Sequence, residues 1–592
     1  MIAGSRGRGS LRLAPAAGGL FAAIAWALSP LGACAAGAEP DVIYLHGHVL
    51  TADAAHPRAE AVAVGGGRIL AVGRDSAIAS LRGPHTQVVD LTGKTMTPGF
   101  VDGHSHIGDL AAIWRLVDLS PSPVGTIGSI AGLQQAMRTF LADHAAPADQ
   151  MVIGIGYDDS LMSERRHPNI AELDAVSAHR PICVVHVSGH LARCNHAALK
   201  RLSLDASSPD PKGGRLGRDA AGQLTGALDE QAVGLALAAL PAPSPAEAAK
   251  ALDEVQTYYA SQGYTTAQDG QTSSPALGLL QAASAAGALR LDVVAYPKWT
   301  LVDDWVAHRG VVIGGPYVNH LKFAGVKISQ DGSPQGKTAY LTKPYLHPPA
   351  GAAADYRGYS TLSAEELDGW YDRFMGRGWQ VQTHCNGDAC IDMVLAAISK
   401  AYAAHPDARA TRPVIVHSQV TRQDQLAAYR RLGIFPTFFA EHTFYWGDWH
   451  RDETLGRDRA AFISPTAAAQ KLGIDFSLHT DAPVVPPSAM HVWWSAVNRV
   501  TRSGRVLGPG QRISPDTALE ALTLWPAWQQ FDETIKGSIT PGKYADLVIL
   551  DADPTRIDPM KIKDVKVLTT IKDGVVIYQR GETPVARQPF AS

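Results

Sequence analysis

RPVIVHSQV, residues 412–420, runs through the apolar stretch Val414, Ile415 and Val416 and then stops on His417. Ala- and Leu-rich stretches lie on either side, so the run reads as a buried strand between two helices, with a polar residue at its C-terminal end. The same layout recurs along the chain. WQVQTHCNGD (379–388) closes on His384, GIDFSLHTDAP (473–483) leads to Asp481, TPGFVDGHSH (97–106) leads to His104 and His106, and LKFAGVKISQDG (321–332) carries Lys327. YTTAQDG (264–270), LDVVAYP (291–297) and GIFPTFF (433–439) complete a set of eight. Eight strands alternating with helices predict an α/β fold, a (β/α)8 barrel of the TIM type over residues 98–535.

Outside this centre the pattern changes. DVIYLHGHVLTADAAHPRAEAVAVGGGRILAVG (41–73) alternates short β-branched runs with Gly and His-Pro turns, and YADLVILDADP (544–554) and VKVLTTIKDGVVIYQRG (565–581) do the same. These are antiparallel signatures, and they predict one small β-sandwich assembled from residues 39–97 and 536–592. The segment 110–251 is too long for a single strand-to-helix connection and carries strand-like runs of its own, MVIGIGYD (151–158) and ICVVHVSGH (182–190). It reads as an inserted subdomain after the first barrel strand, on the face where such barrels keep their active sites.

Residues 1–38 have the layout of an export signal: Arg6, Arg8 and Arg12, an apolar run from Leu13 to Leu28, and Ala36-Gly37-Ala38 before Glu39. That run is too short for a membrane span, so cleavage and release to the periplasm or the medium are expected. Leu31-Gly32-Ala33-Cys34 offers an alternative, a lipoprotein anchored at Cys34. The remaining 554 of 592 residues suffice for a large core, and a formal net charge of −3, from 53 basic and 56 acidic residues, excludes a global field for nucleic acid. A small-molecule substrate is the expected partner, and homodimerisation stays open. Of five cysteines, Cys183 and Cys194 are placed for a bridge in an oxidising compartment, and no paired C-x-x-C spacing marks a structural zinc site.

His104 and His106 stand two apart at the end of a strand, so their imidazoles project to one side and converge as neutral nitrogen ligands for a divalent ion such as Zn²⁺. His384, His417 and Asp481 each end a further strand on the same expected rim. Lys327 is hard to explain as a core ammonium beside cations. Uptake of CO2 by the neutral amine removes the conflict, giving an anionic carbamate that can bridge two ions. Lys322 is the alternative lysine on that strand, with one of the two solvated at a strand end.

TPGFVDGHSH, GVKISQDGSPQGKTAY (325–340), THCNGD (383–388), VIVHSQV (414–420), LHTDAPVVP (478–486) and GSITPGKYADLVILDADP (537–554) together resemble the amidohydrolase superfamily, in its YtcJ-like branch with the N-substituted formamide deformylases. The resemblance implies two divalent metal ions, Zn²⁺ by type, with a single ion as the alternative. His104, His106 and carboxylated Lys327 would hold one, His384 and His417 the other, and Asp481 would touch a metal and act as general base for a metal-activated hydroxide. Cys385 departs from the small aliphatic residue expected after the histidine, and a thiol there adds a minor ligand alternative. His479 shares a face with Asp481 as a supporting partner or a plain core residue.

PTFFAEHTFYWGDWH (436–450) gathers Phe439, Tyr445 and Trp446 around His442, with Trp493 and Trp494 further on. The first three are expected to line an apolar substrate wall, and His442 to hydrogen-bond a substrate or transition-state oxygen. Tyr157, Asp158 and Asp159 close a strand-like run in the insertion and carry no assigned role. The expected activity is hydrolysis of a C–N amide bond, N-acyl or N-formyl, in a small hydrophobic substrate. The alternatives are a deaminase, a cyclic-amide, ester or lactone hydrolase on the same barrel, or a non-catalytic exported metal-binding protein. THCNGDAC lacks the Glu a deaminase would use as a proton shuttle.

Overall fold

Each of the eight stretches read as a strand forms one in the computed structural model, which describes residues 39–583 apart from 144–146, 148 and 350. The leader, its cleavage site and the Cys34 anchor alternative lie outside the described residues. The strands pair in parallel and in chain order, in two arcs. Phe100–Val101, Tyr264–Thr272, Asp292–Pro297 and Leu321–Phe323 form the first, and Gly325–Ser329, Gln380–Cys385, Val414–His417, Phe435–Phe438 and Ser477–Leu478 the second. The fourth stretch breaks at Ala324 and so serves both arcs, with a parallel bridge between Lys298 and Lys327 carrying the first arc onto the second. At the far side the last and first strands meet through the His106 N–H to Ala482 carbonyl bond of 2.8 Å and the Asp481 N–H to His104 carbonyl bond of 3.2 Å.

Helices such as Ala364–Met375, Asp388–Ala404 and Gln423–Leu432 cross between these strands, as parallel pairing requires. Ser363 and Ser273 cap theirs by accepting backbone N–H groups. Among the described residues no helix is long and apolar enough to cross a membrane.

The chain ends fold into two further sheets, one of Arg68–Gly73, Ala61–Gly65, Val42–Leu45 and Gln87–Asp90, the other of Val575–Gln579, Val567–Lys572, Leu547–Leu550, Thr95–Pro98, His48–Leu50 and Arg58–Ala59. Leu547–Leu550 runs antiparallel to Thr95–Pro98, so segments from the two ends of the described chain close one sheet. Val42, Val64, Leu91, Met96, Leu547 and Ile571 share a single buried apolar cluster. Within the long connection after the first strand, residues 117–230 build a separate six-stranded sheet around Ile153, Val185 and Leu228.

Lys322 and Lys327 have separate fates, and neither is solvated as the alternative supposed: they are 6% and 1% exposed. Lys322 donates to Asp532 at 2.6 Å. Beside that pair, Asp292 accepts from Lys536 and lies 3.2 Å from Lys572, which also reaches Asp546 at 3.1 Å. The network ties the third and fourth strands to the C-terminal sheet. Burial alone would raise the Asp292 carboxyl, but the charges of Lys536 and Lys572 outweigh it and hold it well below the usual carboxylate range. Its contribution to stability is therefore complete above the ordinary aspartate value of about 3.9 and is lost as the pH falls further. Asp292→Asn should cost about 3–5 kcal/mol, because two buried ammonium groups lose a counter-charge. Urea unfolding at neutral pH would detect the loss, and the variant should show a shallower decline of stability in acid than the parent.

Candidate metal centre

The strand ends bring all six predicted ligands to one place. His104 Nε2 lies 2.8 Å from Lys327 Nζ and 3.4 Å from Asp481 Oδ1, and His106 Nε2 lies 3.3 Å from the same oxygen. His417 Nε2 is 3.1 Å from His384 Nδ1 and 3.9 Å from Asp481 Oδ2. The carboxylate of Asp481 thus stands between the His104–His106 pair and His417. His479 belongs to the same cluster, its ligand atom within 4.8 Å of those of His417 and Asp481.

Backbone geometry supports this convergence at some expense. His417 and Asp481 adopt φ of +70° and +57°, the left-handed region that costs a residue with a Cβ about 1–2 kcal/mol. Gly270 makes room for the His104 ring, since a Cβ at that position would stand 2.1 Å from His104 Cε1.

Burial governs the charge of the cluster. Desolvation pushes His104, His384 and His417 well below the usual imidazole value and His479 down to about 3, so their ring nitrogens are held as neutral donors of electron pairs. It also pushes Lys327 down to about 7. Desolvation works to raise Asp481, but its hydrogen bond to His106 and the charges of His106, His479 and Lys327 keep it below the usual carboxylate range.

The tautomer of His104 can be read from its neighbour. Gln268 donates its amide N–H to the Gly103 carbonyl at 3.0 Å, which turns Gln268 Oε1 towards His104 Nδ1 at 2.7 Å. His104 therefore carries its proton on Nδ1 and directs the Nε2 lone pair into the cluster, as a supported metal ligand does. At the other histidines, His384 Nε2 lies 3.1 Å from Asn386 Nδ2 and 3.3 Å from the Gly332 carbonyl, leaving Nδ1 inward, and His417 Nδ1 is buried without a hydrogen-bond partner among the described residues. Desolvation works to lower His106 as well, but its hydrogen bond to Asp481 and the charge of that carboxylate raise it; together with the neutral rings of His104, His384 and His417, the amine of lowered basicity and the one carboxylate, it completes a donor set that fits a divalent cation of the zinc type.

The family profile of the amidohydrolase family matches residues 87–578. The chain belongs to the amidohydrolase family. This amidohydrolase is 28% identical over 551 residues to the N-substituted formamide deformylase of Arthrobacter pascens, across 91% of this chain and 98% of that protein. It is 27% identical over 538 residues to the putative amidohydrolase YtcJ of Bacillus subtilis, across 88% and 96% of the two chains. A metal-dependent hydrolase of Pyrococcus horikoshii shares the fold with a TM-score of 0.69 at 23% identity, over 88% of this chain and 99% of that one. Membership makes the protein a hydrolase of carbon–nitrogen bonds.

The amidohydrolase places His442 beside the cluster, its ring centroid 6.2 Å from His417 and 4.2 Å from Phe439, with Nδ1 buried and unpaired among the described residues. Phe439, Tyr445 and Trp446 pack together with Val485 in one buried group. Trp446 spends its indole N–H on Asp158 of the inserted sheet at 2.7 Å, which gives Asp158 a structural task. Trp493 and Trp494 sit in the main apolar core, Trp493 packing edge-on against Phe100. Cys385 is not free to act as a ligand: it is bonded to Cys390, and the anticipated Cys183–Cys194 bridge is also formed.

The sequence reading passed over Gln268 and Asp331, although both lie in strand-end motifs quoted for other residues. Asp331 is buried, accepts from the backbone N–H groups of Asn386, Gly387 and Tyr340, and is pushed up to about 7 by desolvation. It fixes the turn that follows His384. A cavity of about 470 Å³ lined by Gln231, Lys298, Trp299, Thr361, Leu362 and Trp370, among others, includes none of the six predicted ligands. Removing the support of His104 with Gln268→Leu should weaken zinc affinity about 10- to 100-fold. Competition with a chromogenic chelator would measure this, and an unchanged affinity would remove Gln268 from the centre.

Proposed function

We propose that the protein hydrolyses the C–N bond of a small N-acyl or N-formyl amide, with the six clustered residues holding two divalent cations. The convergence of His104, His106, Lys327, His384, His417 and Asp481 from five strand ends carries this reading, and the deformylase relative supports the substrate class. The two arcs of parallel strands are read as one closed (β/α)8 barrel, and the sheets of the chain ends as its flanking sandwich. Export is supported by two disulfides, which suit an oxidising compartment.

His104, His106 and Lys327 would hold one cation and His384 and His417 the other, with Asp481 between them. Two such ions, preferably zinc, would supply Lewis acidity to the scissile carbonyl and lower the pKa of a water towards neutrality. Lys327, brought to about 7 by burial, has the neutral amine that adds to CO2. Its Nζ attacks the carbon, one N–H proton leaves to solvent, and the product is an anionic carbamate. Asp481, ionised at neutral pH, accepts a proton from the attacking water and returns it to the departing amine. His442, whose ring lies 6.2 Å from that of His417 and whose Nδ1 has no hydrogen-bond partner among the described residues, would hydrogen-bond the carbonyl oxygen, and Phe439, Tyr445 and Trp446 would form an apolar wall.

Elemental analysis of the mature protein should find about two zinc ions per chain, with amine release from N-formyl or N-acyl amines that chelation abolishes. One ion per chain would favour the mononuclear alternative, and no metal with no release would overturn the reading. Lys327→Ala should lose bound metal, with partial recovery in the presence of short carboxylic acids. Asp481→Asn should lower kcat by about 10²–10⁴ after correction for metal content.

A further inference from the structure

The cleft of about 470 Å³ beside the centre has the size of a small-molecule site. Lys212, Gly213 and Gln231 bring the insertion to it, and Lys298, Trp299 and Thr300 follow the barrel strand Asp292–Pro297. The helix Ala364–Met375 contributes Glu366, Gly369, Trp370 and Arg373. Spaced by three and four residues, these four share one face of that helix. The cleft adjoins the metal centre without sharing a ligand with it. Gln231 directly follows Glu230, whose carboxylate meets His190 Nδ1 at 2.6 Å, and the His190 ring stands edge-on to His384.

Two features of the cleft are unexplained by the packing around them. The first is a charge. Its lining carries three cations, Lys212, Lys298 and Arg373, against one carboxylate, Glu366. Glu366 is engaged twice, by Lys212 at 2.7 Å and by the Ser363 backbone N–H at 3.0 Å, where it completes the cap of the helix. Arg373 shares the carboxylate of Asp303 with Arg377. Lys298 meets no carboxylate among the described residues. Its ammonium donates to the neutral side chain of Gln231 at 3.1 Å, and burial holds it below the usual lysine value. A partly buried cation without a counter-charge is costly.

The second feature is a gap. Gly369 stands inside the helix, where only proline is a poorer choice, and a Cβ there would meet nothing within 4 Å. No close neighbour requires a glycine. Trp299 and Trp370 line the same space, each with a cation near its ring, Lys298 Nζ at 5.2 Å from the Trp299 centroid and Arg373 Cζ at 5.8 Å from that of Trp370.

We propose that this cleft is a binding site for a small aromatic carboxylate, whose anionic head pairs with Lys298 and whose ring packs against Trp299 and Trp370 in the space beside Gly369. The carboxylate gives Lys298 the counter-charge that the fold withholds, through a charge-assisted hydrogen bond. A flat ring suits the two indoles and the space left by the missing side chain. Such a ligand touches the insertion and the barrel at once. The proposal is independent of which bond the metal centre hydrolyses.

The probes are naphthalene carboxylate and the neutral naphthylmethanol, with affinities read by calorimetry on the zinc-loaded mature protein as wild type, Lys298→Met and Gly369→Leu. The wild type should bind the carboxylate about tenfold or more tightly than the alcohol, and added salt should shrink that preference. Lys298→Met should abolish the preference by a loss on the carboxylate alone. Gly369→Leu should lose both probes, because the new side chain fills the space. Both variants should fold, since one removes an uncompensated charge and the other places a better helix former on an open helix face, and zinc content and the urea midpoint check this. Equal affinity of the wild type for the two probes, or binding of neither, would overturn the proposal. So would carboxylate binding that survives either substitution, which would put the probe elsewhere, the zinc of the centre included.

Discussion

The centre depends on one constraint: basic nitrogen atoms packed together away from water cannot all be charged. His104, His384, His417 and His479 are buried, and each is held as a neutral ring because hydration of the cation is lost. The same loss brings the Lys327 amine down to about 7. What remains is a concentration of lone pairs with Asp481 as its anion, an arrangement costly for an empty core and suited to cations. The left-handed backbone at His417 and Asp481 and the close fit of Gly270 to His104 belong to that same expense.

Around this kernel the fold distributes different tasks. The parallel strands deliver the donors, the Gln268 amide sets a tautomer, and Asp331 fixes the turn after His384. The lysine and aspartate network of Lys322, Lys536, Lys572, Asp292 and Asp532 lies apart from these donors and fastens the strands to the sheets of the chain ends. Two lysines only five residues apart, Lys322 and Lys327, thus serve stability and the centre respectively, because the break at Ala324 sends one to each. From the other side the inserted sheet supplies Asp158 to Trp446 and the His190–Glu230 pair to the neighbourhood of His384.

Much of this was legible in the sequence. Apolar runs that stop on His, Lys or Asp located the strands and their functional ends together, because a polar residue at the end of a buried strand must have a partner there. Aromatic residues were less informative. Nothing in PTFFAEHTFYWGDWH or in Trp493-Trp494 distinguishes a ring at a rim from a ring in the core, since both are apolar and both lie near a strand end. Cys385, read as a neighbour of the site with a minor ligand alternative, loses that alternative, because the helix that begins at Asp388 returns Cys390 to bond with it.

By itself the sequence determined the order of the strands, the identity of the clustered donors and the family, because periodicity and strand-end residues are local properties of the chain. Only the tertiary structure decided which donors meet, which way Gln268 turns His104, and that a histidine and a glutamate forty residues apart in the insertion face the centre. These are questions of distance between segments remote in sequence. Such distances are set by packing, and local pattern carries no record of them.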